Sequence, residues 1–181
     1  MRITGFLLSI AVAAMGFFPC SAADFNVTGY GAKGNGITDD AKAIQRAIDA
    51  CSASGGGSVV FPSGKTFMAG PLHLKSNVDL HLQPNSVLLA NPDEAAYTES
   101  AFRGNRGEGM MWISGKDIQN ISITGRGRID GNGVAFMGRE LSDSYELKPV
   151  TDFDPRPHVL TLVNASNVKI NGVTIANSAY W

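Results

Sequence analysis

The chain has 181 residues, 44% of them hydrophobic, with 21 glycines and a net charge of −1. That is enough apolar material for one sizeable core, and the glycine content favours a loop-rich β protein over a helical bundle. No basic run or cluster is present, so nothing supports a nucleic-acid partner, which would need clustered Lys and Arg.

Residues 1–23 have the layout of a secretory signal peptide. Arg2 supplies positive charge, Phe6 to Phe18 is apolar, and Pro19-Cys20-Ser21-Ala22-Ala23 is a small-residue end. The apolar segment is short for a membrane span. Cleavage is expected after Ala23, giving a secreted or periplasmic protein; the minor alternative is a lipid anchor on Cys20. Cleavage leaves one cysteine, Cys51, which then has no internal disulfide partner.

The Gly29-Tyr30-Gly31-Ala32-Lys33-Gly34 run matches G-x-G-x-x-G after a short strand at Phe25–Val27. A dinucleotide site would need the helix to start at those glycines and an acidic residue after the next strand. The helix starts near Asp39 instead, and Ser58–Phe61 ends in Pro62-Ser63. The run is read as a structural loop. Residues 39–52 predict an amphipathic helix: Ile44, Ala47, Ile48 and Cys51 form one stripe, Thr38 is placed to cap, and Asp39-Asp40 sit in the first turn where negative charge is favoured. Cys51 is therefore expected to be buried and reduced. Paired carboxylates serve glycoside hydrolysis, but at a helix start this pair is read as structural.

Strands follow almost without interruption. They are Ser58–Phe61, Thr66–Met68, Leu72–Leu74, Val78–Leu82, Val87–Leu89, Met111–Ile113, Ile118–Ile123, Arg128–Ile129, Val159–Val163, Val168–Ile170 and Val173–Ile175. Asp93 to Glu108 and Gly131 to Pro157 read as excursions. Alternation puts His73 and His81 on the face opposite their flanking leucines, facing solvent. His158 starts a strand and takes no assigned role. No Cys/His cluster has metal-ligand spacing.

The element x-Asn-hydrophobic-x-hydrophobic occurs at Asn77, Asn120 and Asn167, with spacings of 43 and 47 residues. This is read as two turns per repeat of a solenoid coil of roughly 20–25 residues, with the asparagines stacked at a corner. The pattern predicts a β-solenoid with an N-terminal capping helix. The chain stops at Trp181 with Val and Ile strands uncovered, so it is expected to be truncated, and to aggregate or need a partner over that face.

These segments resemble a known group. Tyr30-Gly31-Ala32-Lys33-Gly34-Asn35-Gly36-Ile37-Thr38-Asp39-Asp40, Ala43 to Cys51, Gly55 to Gly64 and Pro71 to Asn77 are similar to the start of pectin-degrading β-helix proteins. Gly125 to Gly133, Arg156-Pro157 and Asn177-Ser178-Ala179-Tyr180-Trp181 look like glycoside hydrolase family 28, the polygalacturonases. The resemblance implies an all-β fold, a single-stranded right-handed parallel β-helix, and an enzyme that hydrolyses α-1,4-linked galacturonan with inversion. It implies a pectic polysaccharide as partner, no cofactor and a monomer at full length. None of the family's Asn-x-Asp, Asp-Asp, Gly-His-Gly and Arg-x-Lys motifs can be placed here: Gly-His-Gly and Arg-x-Lys are absent and the only Asp-Asp is the helix-start pair Asp39-Asp40, in the wrong place, so no catalytic residue is assigned. Trp181 is the one candidate for substrate binding. The alternatives are a pectate lyase-like or rhamnogalacturonan-cleaving enzyme, or a non-catalytic polysaccharide-binding solenoid.

Overall fold

The computed structural model describes residues 23–101, 109–140, 147–149 and 156–180. Trp181 and all of the expected signal segment 1–23 except Ala23 lie outside these residues.

The chain winds as a parallel β-helix. The first coil holds β1 (Ala23–Asn26) and β2 (Asn35–Asp39), followed by α1 (Ala41–Ala53). The second holds β3 (Gly57–Phe61), β4 (Thr66–Ala69) and β5 (Leu72–His73). The third holds β6 (Val78–Leu82), β7 (Val87–Ala90) and β8 (Met110–Lys116). The fourth holds β9 (Gln119–Gly125), β10 (Arg128–Asp130), a hairpin of β11 (Met137–Glu140) and β12 (Leu147–Pro149), and β13 (Pro157–Val163). Strands β14 (Ser166–Asn171) and β15 (Thr174–Ala176) start a fifth. Three parallel sheets result: β1-β3-β6-β9-β14, then β2-β4-β7-β10-β15, then β5-β8-β13. The winding is right-handed, as parallel crossovers almost always are.

Two expectations need correction. The asparagine repeat marks one coil, not two. Asn120 donates to the Asn77 side chain at 2.8 Å and Asn167 to Asn120 at 2.8 Å, so residues 43 and 47 apart are direct neighbours. The coils are long because excursions leave one corner, between the second and third sheets, after Ala90 and after Asp130. All three asparagines are left-handed, with φ between 53° and 66°. Asn tolerates that conformation better than most residues, and here its amide also bonds to its neighbour along the stack.

The second correction concerns the start of the helix. Thr38 and Asp39 belong to β2, and the N-cap residue is Asp40. Its carboxylate does not cap. It turns back and accepts from the backbone N–H groups of Lys33 (2.7 Å) and Gly34 (2.9 Å). Asp39 takes over the capping role, accepting from Ala41 N–H at 2.9 Å, and also from Gly70 N–H and the Asn91 amide. The Asp-Asp pair thus ties the glycine-rich loop and two later coils to the helix start. That loop is held closed from below as well, since a Cβ on Gly34 would sit 2.8 Å from the Phe67 ring.

The strand interiors supply the core. Leu80 and Leu82 from β6, Leu88 from β7, Ile121 and Ile123 from β9 and Trp112 from β8 are buried, with Phe61 and Phe67 in edge contact at 5.5 Å. The helix stripe Ile44, Ala47, Ile48 and Cys51 is buried, as expected, and covers the first coil. At the other end Val163, Val168, Ile170 and Ile175 are 41–47% exposed.

Cys51 is fully buried, and its thiol is pushed up to about 11, first by burial and then by the nearby Asp79 charge. Thiolate is the reactive form. Ellman's reagent at pH 8 is therefore expected to leave native Cys51 untouched over the time in which the denatured chain reacts fully. Rapid labelling of the folded chain would show that α1 opens.

Candidate functional site

The third sheet is where the excursions gather. Its β5 edge is short, and α1 completes it. The Gln45 amide donates to the His73 carbonyl and accepts from His73 N–H, both at 2.9 Å. One side chain thus meets both backbone groups of a strand residue. This fixes His73, whose Nδ1 lies 3.2 Å from the Ser114 hydroxyl one coil up. The register continues from Ser114 to Thr161 in β13.

A groove of about 430 Å³ runs along this face, lined by His73, Glu99, Met111, Ser114, Lys116 and Val163 among others. A smaller hollow of about 220 Å³ adjoins it at His73, Glu99 and Ser114. The first excursion forms the wall. It is anchored by Tyr97, whose hydroxyl donates to the Asn91 carbonyl at 2.7 Å and whose ring meets Phe136 edge-on. Burial, then the charges of Asp39 and Asp93, push the Tyr97 phenol well above its usual range. It stays a neutral donor. Trp112 pins β8 from within by donating to the Ala69 carbonyl at 2.9 Å.

At the far end of the face three residues meet. The Arg156 guanidinium lies 4.9 Å from the centre of the Tyr180 ring, and the His158 ring lies 5.0 Å from it. The turn carrying Tyr180 is set by Asp130. Burial works to raise that carboxyl. The Asn132 N–H, the Arg128 guanidinium and the Asn177 amide outweigh it and hold Asp130 below the ordinary carboxylate range. Two residues that sequence reasoning left without a role, Arg156 and His158, are thus brought together with Tyr180. The signal was Arg156-Pro157 next to His158, but nothing local says which aromatic they meet. Trp181, the residue expected to bind substrate, lies outside the described residues.

His73 and His81 do stand on outer faces, as alternation required. Each also bonds a hydroxyl one coil away: His73 to Ser114, and His81 to Thr124 at 2.8 Å.

The groove can bind and orient a long polar ligand, but Glu99 is its one carboxylate among the described residues. Inverting hydrolysis needs two, roughly 6.5–9.5 Å apart. Also among the described residues, no group of His, Cys, Asp and Glu could hold a metal, and no helix is long and apolar enough to cross a membrane.

Comparison with known proteins bears on this groove. Residues 25–102 match the family model described as rhamnogalacturonase A/epimerase, pectate lyase-like. An exopolygalacturonase of Zea mays is 34% identical over 87% of this chain and 35% of its own length. The family 28 exopolygalacturonase of Yersinia enterocolitica superposes with a TM-score of 0.68 at 27% identity, over 88% of this chain and 35% of that one. In sequence and in fold, this chain is similar to family 28 polygalacturonases. It spans about a third of the length of these relatives. A plasmin and fibronectin-binding protein A of Streptococcus pneumoniae is also similar, at 32% identity over 84% of this chain and 21% of that protein. The polygalacturonase-type fold therefore also occurs in a protein named for binding.

Proposed function

We propose that the chain is the N-terminal part of a secreted, inverting pectin hydrolase that cleaves α-1,4-galacturonosidic bonds. These coils supply the scaffold and one wall of the substrate groove, while the catalytic carboxylates stand on further coils of the same sheet. The observation that supports this is the third-sheet groove, walled by an excursion and continuous in register from β5 to β13, in a chain similar to exopolygalacturonases. Successive coils lie about 4.7–4.9 Å apart. Carboxylates on neighbouring or next-neighbouring coils, offset along the strand, reach the inverting separation. Trp181, next after Tyr180 in the sequence, is the residue proposed to bind the sugar. The partner is a pectic polysaccharide, with no cofactor, and the full-length protein acts as a monomer. Removal of residues 1–23 takes only the Ala23–Gly57 rung from β1 and leaves Asp24 to Asn26 paired with Ser58 to Val60.

A second reading has its own support. The similarity to the Streptococcus protein favours a solenoid that binds without cleaving. The family-model description keeps a rhamnogalacturonan-cleaving or lyase-type pectinase in view.

The 181-residue chain is expected to release no reducing ends from polygalacturonate, because among the described residues its groove holds one carboxylate and the catalytic ones are proposed to stand on further coils. The encoding gene read beyond Trp181 is expected to show Asn-x-Asp, Asp-Asp, Gly-His-Gly and Arg-x-Lys in that order. Turnover by the pure 181-residue chain, abolished by substitution of Asp39 or Asp40, would overturn the placement of the site. A downstream gene sequence without those motifs would leave the binding reading in its place.

A further inference from the structure

A second cleft lies on a different wall of the helix, on the outer face of the β1-β3-β6-β9-β14 sheet. Val78, Leu80 and Leu82 point inward, so Asp79 and His81 stand outside; Ile121 and Ile123 likewise leave Ser122 and Thr124 outside. Register aligns His81, Thr124 and Asn171 on three successive coils. They line a hollow of about 480 Å³, with Arg126 at the corner and Pro84 as its apolar side.

The polar groups here are ordered by one another. The Thr124 hydroxyl donates to Asp79 Oδ2 at 2.8 Å, which uses its only proton. It must then accept from His81, so Nδ1 of His81 carries the hydrogen in their 2.8 Å bond. The other ring nitrogen, Nε2, is left for the cleft. This arrangement is not a nucleophile relay. In a relay the imidazole stands between the hydroxyl and the carboxylate and removes the hydroxyl proton. Here the hydroxyl stands between them and its proton is held by Asp79. The chemistry on offer is recognition.

The Arg126 side chain is exposed and has no ion-pair partner among the described residues. Its backbone is fixed nonetheless, with N–H donating to the Leu82 carbonyl at 2.9 Å. A guanidinium on a fixed corner matches a carboxylate in two-point geometry. Beside it, Thr124, His81 Nε2 and the Asn171 amide present donors and acceptors suited to sugar hydroxyls.

We infer that this cleft is a second saccharide site, separate from the third-sheet groove, that takes an acidic sugar unit with its carboxylate on Arg126. The choice of galacturonate as that unit rests on the pectic reading above; the preference for an acid rests on Arg126 alone. Such a site would hold a polymer chain on the flank of the solenoid while another stretch lies in the groove.

The test is fluorescence anisotropy of a labelled galacturonate trimer with the 181-residue chain, beside a neutral galactose trimer and a sulfated galactose trimer. The expected result is galacturonate binding that weakens about tenfold in Arg126→Ala, one charge-assisted contact being lost. Asn171→Ala is expected to weaken it less, His73→Ala to remove only the share that the third-sheet groove contributes and to leave the Arg126-dependent binding, and the neutral trimer not to bind. Arg126 is exposed, so circular dichroism should show the variant folded. Equal binding of the neutral trimer, or an Arg126→Ala affinity equal to the parent's, overturns the site. Galacturonate binding lost in His73→Ala but not in Arg126→Ala overturns it too, while leaving the pectic reading standing. Binding of the sulfated trimer alone, lost in Arg126→Ala, keeps the acidic-sugar site and removes galacturonate as its ligand.

Discussion

Gly125→Ala is expected to be the most damaging single substitution at a turn of this chain. Gly125 ends β9 at φ +111°, where an L side chain is strained. A Cβ there would lie 1.9 Å from the Leu82 carbonyl oxygen and 2.7 Å from its carbon. That oxygen cannot retreat. It accepts from Arg126 N–H at 2.9 Å and Gly127 N–H at 3.1 Å, and its residue is buried in β6. Backbone strain and overpacking each cost about 1–3 kcal/mol at ordinary sites. Together, against an immobile backbone atom, at least about 4 kcal/mol is expected, which is a large part of a domain's stability. Thermal unfolding should fall by roughly 10 °C or more, or the variant should fail to fold. Gly55→Ala is the control, because its φ is similarly positive at +97° but a Cβ would meet nothing within 4 Å. A Gly125→Ala variant that melts within a few degrees of the parent would mean that the β6–β9 corner is looser than described.

Much of this architecture could be read in the residues, because a solenoid writes its periodicity locally. Val78–Leu82 alternates as a half-buried strand must, and the strand found there has the same limits. The asparagine corners were visible for the same reason. What failed was the count of turns per repeat. Spacing alone does not separate two short coils from one coil carrying an excursion, and only the Asn77–Asn120 bond decides it. β2 was hidden because Asn35-Gly36 looks like a turn and Asp39-Asp40 like a helix start; its pairing with β4 is long-range. The β11–β12 hairpin lay inside a stretch read as irregular. The candidate groove was the least legible part. His73 and Ser114 are far apart in sequence and meet through register, and Glu99 joins them from the excursion. The Gln45 amide that completes β5 reaches across 28 residues from a helix. No local pattern encodes such contacts.

Asp40→Ala is expected to cost about 3 kcal/mol, although the residue looks in sequence like half of a catalytic pair. Asp40 is 2% exposed and both of its oxygens accept backbone N–H bonds, from Lys33 and from Gly34. Hydrogen bonds to a charged group contribute about 1.5–3 kcal/mol each, and a buried N–H left without an acceptor costs about 1–3 kcal/mol. Relaxation of the loop toward water returns part of that, which sets the figure near the middle of the combined range. The loop is also what closes over Phe67, since Gly34 stands against that ring. Its release therefore opens the first coil as well as losing two bonds. Asp40→Asn keeps one carbonyl oxygen as an acceptor and should cost about half as much. Asp39→Ala should fall between, because its partners Ala41, Gly70 and Asn91 belong to a more exposed carboxylate. Urea unfolding of the three variants should reproduce that order with an unchanged slope. An Asp40→Ala chain as stable as its parent would show that the loop finds other acceptors. The pair would then have to be explained by something other than the fold.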